Sequence, residues 1–271
     1  MPLPPPPGPG INGPPRQPPA AFAAECLRRR RGPFMRVLAI GDIHGCRLAL
    51  AGLLDVVRLQ PEDRLVFLGD YIDRGPDSRG VLDTLLTLQR RHDVVCLRGN
   101  HESLLLLARD NFMAELHWRQ CGGNQTLASY SLGPEADWPA RLPAAHWAFL
   151  DRTAPYFETE DHIFVHAGLH PDLDLAEQSE EFLQWEHFPS LRPHKSGKRI
   201  VCGHTAQRTM TINDAGHAVC IDTGPAFGGW LTCFATGTGQ FWQARENGDI
   251  RQGVLPPSPR APTRPPQAPV S

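Results

Sequence analysis

The sequence predicts an α/β protein of two packed mixed β-sheets flanked by helices. Two observations predict it. Between residues 36 and 110, short apolar runs that end in Gly-Asp or Gly-Asn alternate with stretches of helical periodicity, the signature of a largely parallel sheet. After about residue 155 the pattern changes to strands separated by loops, which implies a second sheet packed on the first.

"RVLAIGD" (36–42) is the first strand. Leu50, Leu53, Leu54 and Val57 then recur at i, i+3, i+4 and i+7, an apolar stripe along one helix face. "RLVFLGD" (64–70) is the second strand, followed by a helix marked by Val81, Leu85 and Leu88. "DVVCLRGN" (93–100) is the third, and "HESLLLLARD" opens a third helix. The stretch 110–155 is less regular, with a Trp-containing helical segment and a Gly-rich loop candidate, "CGGNQTLASYSLG". "HIFVHAG" (162–168), "RIVCGHT" (199–205), "HAVCIDTG" (217–224) and "WLTCFATGTGQFWQ" (230–243) read as the strands of the second half.

Most of the 28 prolines lie in the terminal segments 1–34 and 256–271, which are expected to be disordered or extended, leaving a folded domain over 35–255. Met35 stands directly before the first strand, so starts at Met1 and at Met35 both fit. The tails suit a partner with an aromatic groove for proline-rich chain. The formal net charge of -2 offers no electrostatic argument for nucleic acid or an acidic membrane as partner. No apolar run reaches the length of a membrane span. Seven cysteines, scattered and without a C-x-x-C pair, read as reduced and mostly buried thiols of a cytoplasmic protein.

The chemistry sits at the strand ends. Asp42 and His44 in "GDIHG", Asp70 in "GDYIDRG", Asn100 in "GNHE", His166 in "VHAG" and His204 in "GHT" each follow an apolar run. Ligand sites of α/β sheets lie beyond the carboxyl ends of the strands, so these side chains have one place to converge. Oxygen and imidazole donors without thiolate suit Mn, Fe, Zn or Mg, and six of them suit two ions. Alone, a Gly-Asp turn or a histidine beside an apolar run is structural, and His92, His117, His146, His162, His170, His187, His194 and His217 keep that reading.

Taken in order, "GDIHG", "GDYIDRG", "RGNHE", "HAG" and "GHT" resemble the phosphoprotein phosphatase family of calcineurin-like metallophosphoesterases. "IDTGPAFGGWLTC" and "CGGNQTLASYS" are most similar to its compact bacterial and phage-type serine/threonine phosphatases. The resemblance runs from about Met35 to Gln243. It implies two divalent metal ions, with Asp42 and His44 on the first, Asp70 bridging, and Asn100, His166 and His204 on the second. It implies that a metal-activated hydroxide attacks phosphorus, with His101 as general acid, Asp73 as its orienting carboxylate, and Arg74 and Arg98 on the phosphate oxygens. The implied substrate is phosphoserine or phosphothreonine in a protein; dinucleoside polyphosphates or other small phosphoesters are the alternative, and a non-catalytic scaffold has no use for such a ligand set. One departure stands out. In "FLQWEHFPSLR", Trp185 is present but His187 stands where the family carries a further phosphate-binding arginine, leaving Arg192, Lys195 or Lys198 to substitute or the site to do without.

Overall fold

In a computed structural model of the 271-residue chain, residues 36–133 and 137–256 are described. The proline-rich segments 1–34 and 257–271 lie outside them. The described residues all belong to the compact unit Met35–Ser271.

The first sheet has the order β11-β10-β9-β1-β2-β3. Strands β1 (Val37–Ile40), β2 (Arg64–Phe67) and β3 (Asp93–Cys96) run parallel. β9 (Leu231–Ala235), β10 (Gln240–Ala244) and β11 (Ile250–Val254) extend it antiparallel. The second sheet has the order β4-β5-β6-β8-β7. Its centre is parallel, from β5 (His162–Val165), β6 (Arg199–Cys202) and β8 (Ala218–Cys220), with β4 (Tyr156–Glu158) and β7 (Asn213–Asp214) antiparallel at the edges.

Alternation along the strands builds the layers. Ala39, Val66, Val95, Phe164, Val201 and Val219 point between the sheets and form one apolar cluster. Leu38, Ile40, Leu65 and Phe67 point the other way, onto helices α1 (Arg47–Val57) and α2 (Ser78–Gln89). Ile163, Ile200 and Cys202 face a third cluster that includes Leu183 of α7 (Glu180–Trp185). Burial on both faces is why the strands read as continuous apolar runs. Each fully buried Leu, Ile or Phe stabilises by about 1.5–3 kcal/mol relative to exposure.

Two expectations are corrected. "CGGNQTLASYSLG" is not a loop: Arg119–Gly123 form a π-turn that continues into helix α5 (Asn124–Ser129), after α3 (Asn100–Ala108) and α4 (Phe112–Trp118). Gly122 absorbs the kink with φ 120°, a value open to glycine and strained for any other residue. The run 230–243 is a hairpin rather than one strand, with Gly239 at φ 72° in the turn between β9 and β10.

Candidate active site

Every parallel strand of both sheets delivers a polar residue just past its carboxyl end. β1 leads to Asp42 and His44, β2 to Asp70, Asp73 and Arg74, β3 to Asn100, His101 and Glu102. β5 leads to His166, β6 to His204 and β8 to Asp222. Parallel strands point their ends the same way, and packing of the two sheets brings the two sets together.

Contacts between sheets lock the arrangement. His166 Nδ1 donates to the Leu68 carbonyl at 2.9 Å, and its Nε2 lies 3.0 Å from Asn100 Oδ1. The backbone N–H of His204 donates to both oxygens of Asp42 at 3.1 Å. Gly99 and Gly203 make this proximity tolerable. A Cβ on Gly203 would stand 2.0 Å from Asp42 Oδ1, and one on Gly99 2.2 Å from Asp70 Oδ1.

His44, Asp70, Asp73, Arg74 and His204 have positive φ between 46° and 72°. Such backbone is costly for non-glycine residues and persists where the surroundings enforce it. Glu102 is part of that enforcement. Fully buried, its Oε2 accepts the backbone N–H groups of Asp70 and Gly99 and its Oε1 that of Tyr71, at 2.8–2.9 Å. It ties the loop after β2 to the first turn of α3.

Two donor groups share Asp70: His44, Asp70 and His101, and Asp70, His166 and His204, each with ligand atoms within 4.8 Å of one another. Asp70 Oδ2 faces His44 Nε2 at 3.4 Å, and Oδ1 faces His166 Nε2 at 3.5 Å. His44 donates its Nδ1–H to the Ile72 carbonyl at 2.9 Å, as His166 does to Leu68, so both rings present an unprotonated Nε2 to the centre.

The electrostatics match. Burial holds the pKa values of His44 and His166 below the ordinary imidazole range, and burial together with His166 lowers that of His204 to about 3. Each shift favours the unprotonated ring, the form in which an imidazole ligates a metal. Burial, then Asp222 and Asp70, pushes the Asp42 carboxyl up, and burial holds Asp222 up at about 6. Burial opposes ionisation of Asp70 too, but His166, His101, His44 and Arg74 outweigh it and keep the group low. Buried carboxylates that repel one another, beside neutral imidazoles, form a donor set that fits divalent cations.

His101 differs from the other three rings. Burial works to lower its pKa, yet the Asp70 and Asp73 carboxylates raise it above the usual value. Its Nδ1 lies 2.7 Å from Asp73 Oδ2. Asp73 in turn accepts from Trp118 Nε1 at 2.9 and 3.1 Å and from Thr126 Oγ1 at 2.6 Å. The α4–α5 segment therefore exists, from the site's viewpoint, to fix Asp73. Sequence reading did not find Trp118, Thr126, Glu102 or Asp222 as site residues. For Asp222 a signal was present, because "CIDTG" repeats the pattern of an apolar strand ending in an acid.

Arg74 reaches the centre, with Nη1 2.7 Å from His44 Nε2 and its guanidinium 5.5 Å from the centroid of the exposed Phe227 ring. Arg98, expected on the phosphate oxygens, has Nε and Nη2 hydrogen-bonded to the chain itself. Its guanidinium donates to Thr153 Oγ1 and the carbonyls of Leu150 and Asp151, which end helix α6 (Ala144–Asp151). Carbonyls at a helix C-terminus attract a cation, and they anchor this one. Of the substitutes for the missing arginine, Lys195 is paired with Asp174 and Lys198 with Glu158. His187 stacks at 5.6 Å on the His204 ring. Among the described residues no disulfide occurs, and no helix is long and apolar enough to cross a membrane.

Comparison with known proteins gives the family of the chain. Residues 35–220 match the calcineurin-like phosphoesterase family. Serine/threonine-protein phosphatase 1 of Salmonella typhimurium is 33% identical over 216 residues, covering 73% of this chain and 91% of that protein. A symmetrical bis(5'-nucleosyl)-tetraphosphatase of Pseudomonas putida is 34% identical over 157 residues, covering 55% of this chain; the chain spans only 50% of that relative's length. Among solved structures, the cold-active protein-tyrosine phosphatase of a psychrophilic Shewanella shares the fold with TM-score 0.57 at 16% identity, over 81% of this chain and 80% of that one. A Saccharomyces cerevisiae protein serine/threonine phosphatase shares it with TM-score 0.51 at 16% identity, over 88% and 89%. With more than half its length matched and strand ends that supply a paired metal-ligand set, the chain belongs to the calcineurin-like metallophosphoesterases.

Proposed function

We propose that this protein hydrolyses phosphomonoesters of serine and threonine in proteins, with two divalent cations bound at the strand ends. The hydrogen-bonded pair of His101 and Asp73 carries the reading. A serine or threonine alkoxide leaves badly, and a buried imidazole whose pKa is raised by two carboxylates is a proton donor suited to it. The similarity to a protein phosphatase over 91% of its length supports the same substrate class.

Asp42, His44 and Asp70 would hold one cation, and Asp70, Asn100, His166 and His204 the other. When bound, such a pair supplies Lewis-acid activation of water and of the phosphoryl oxygens. The remaining roles belong to the chain. Arg74 offers a planar fork of N–H donors to two phosphate oxygens and stabilises the charge that grows on them. Its stack on Phe227 sets the direction of that fork. His101 gives its Nε2 proton to the departing oxygen, while Asp73 accepts the Nδ1–H and keeps the ring oriented. Trp118 and Thr126 hold Asp73 in that position.

A second reading, hydrolysis of dinucleoside polyphosphates, is favoured by two exposed rings beside the centre. Trp185, 41% exposed, lies 6.1 Å from the His204 ring, and Phe227, 60% exposed, covers Arg74. Both offer a face on which a nucleobase can stack. The test is a panel of phosphoserine and phosphothreonine peptides and diadenosine tetraphosphate, assayed with Mn²⁺. The proposal expects the highest kcat/KM on the peptides. Turnover confined to the nucleotide would refute it.

A further inference from the structure

A groove of about 510 Å³ has Thr205, the residue after His204, in its lining. Pro189, Thr205, Gln207, Arg208, Thr209 and Asn213 are among its walls. Two hydrogen bonds tie its lining to segments that carry site residues. Thr205 follows His204 and accepts the backbone N–H of Phe188 on its Oγ1 at 3.0 Å, which joins the segment carrying His187 to the segment carrying His204. The Gln207 N–H donates to the carbonyl of Asp222 at 3.0 Å.

The groove has a defined chemistry. Its floor is held by Gln207, whose Nε2 donates to the Thr205 carbonyl at 2.6 Å and whose Oε1 accepts from Asn213 at 3.0 Å. Thr209 and Thr211 share a hydroxyl hydrogen bond. No carboxylate lines it, and its single charge is Arg208, which is exposed and has no acidic partner among the described residues. Lys195, Lys198 and Arg199 pair with Asp174, Glu158 and Asp214, and Arg251 donates to the Met210 carbonyl at 2.9 Å. A preformed polar trough with one open guanidinium suits extended chain that carries a carboxylate.

We propose that this groove binds the polypeptide flanking the phosphorylated residue and that Arg208 selects an acidic side chain there. This rests on the phosphoprotein reading above. Arg208 lies four residues beyond His204, in a turn closed by the Met210 N–H on the Gln207 carbonyl at 2.8 Å, so the acid it selects is sought on both sides of the phosphoresidue. Arg208 acts on substrate choice and takes no part in the chemical step.

The test uses the full chain with Mn²⁺ and phosphothreonine peptides in which one Asp is moved through the first four positions on either side, each paired with its Asn counterpart. The ratio of KM values within a pair is the readout, because it is internal to each variant. The wild type is expected to favour Asp by about three- to fivefold at one or two positions, the usual scale of an exposed ion pair. In Arg208→Ala the ratio falls to one at those positions, and in Arg208→Lys a preference remains. No Asp preference at any position, or a preference that survives Arg208→Ala, overturns the inference. So does an Arg208→Ala effect seen only with diadenosine tetraphosphate, which would give the groove to a polyphosphate. Failure of the phosphoprotein reading looks different: nitrophenyl phosphate is hydrolysed and neither member of any peptide pair is.

Discussion

Replacing His101 with Asn should depress turnover of a phosphoserine peptide far more than that of nitrophenyl phosphate. The perturbation removes the Nε2 proton donor and leaves the shell of Asp73 largely intact. Asp73 keeps the indole N–H of Trp118 at 2.9 Å and the Thr126 hydroxyl at 2.6 Å, and the Asn amide can replace the ring N–H. The variant should therefore fold and retain its metal. A positioned acid contributes about 10²–10⁴ in rate, or roughly 2.7–5.4 kcal/mol at 1.36 kcal/mol per decade. An alkyl oxygen needs nearly all of that help. A nitrophenolate, which departs readily as an anion, needs little. The expected outcome is a loss of at least about 10² in kcat on the peptide and less than about tenfold on the aryl ester. Steady-state kinetics on both substrates, with metal content measured on the same samples, decides it. Equal losses with both metals retained would refute the general-acid role. Equal losses with metal missing would show that His101 is a ligand, a role open to it because its donor atom lies within 4.8 Å of those of His44 and Asp70.

Three further outcomes follow from the same geometry. The pKa of His101 is raised by Asp70 and Asp73, so its proton persists above the ordinary imidazole value and peptide turnover should fall as pH rises through that raised value; Asp73→Asn should move this alkaline limb to lower pH, and a pH profile of kcat left unshifted would contradict it. Gly203→Ala would place a methyl 2.0 Å from Asp42 Oδ1, and since the contact is with a buried carboxylate, bound metal and activity should be lost together while far-ultraviolet circular dichroism is kept. His187→Arg, beside the His204 ring at 5.6 Å, should lower KM for a phosphopeptide by adding a fork of donors near the centre; an unchanged KM would mean that phosphate binding is already complete.

Much of the fold and of the candidate site was legible in the sequence for one physical reason. Parallel strands buried on both faces read as apolar runs, and polar residues that end such runs stand out. Asp42, Asp70, Asn100, His166 and His204 were visible in that way, and the structure brings all of them together. Arg98 sits in the same kind of position as Arg74, and no local pattern distinguishes them. What separates them is the α6 C-terminus, which is more than 50 residues from Arg98 in sequence. Trp118 and Thr126 were hidden for the same cause, because they meet Asp73 across 45 and 53 residues of chain. The π-turn at Arg119–Gly123 was hidden by its own glycines, which suggest a loop until Gly122 is seen to kink a helix.

Hydrolysis is proposed to depend on a paired cation site formed at the ends of five parallel strands, β1, β2, β3, β5 and β6. Mn²⁺ titration of chelator-treated protein, with nitrophenyl phosphate turnover followed at each step, tests it most directly. The account predicts no turnover in the metal-free protein, recovery that saturates with two ions bound per chain, and neither tight binding nor recovery in Asp70→Asn. Full turnover by metal-free protein, or by Asp70→Asn with no ion bound, would contradict it.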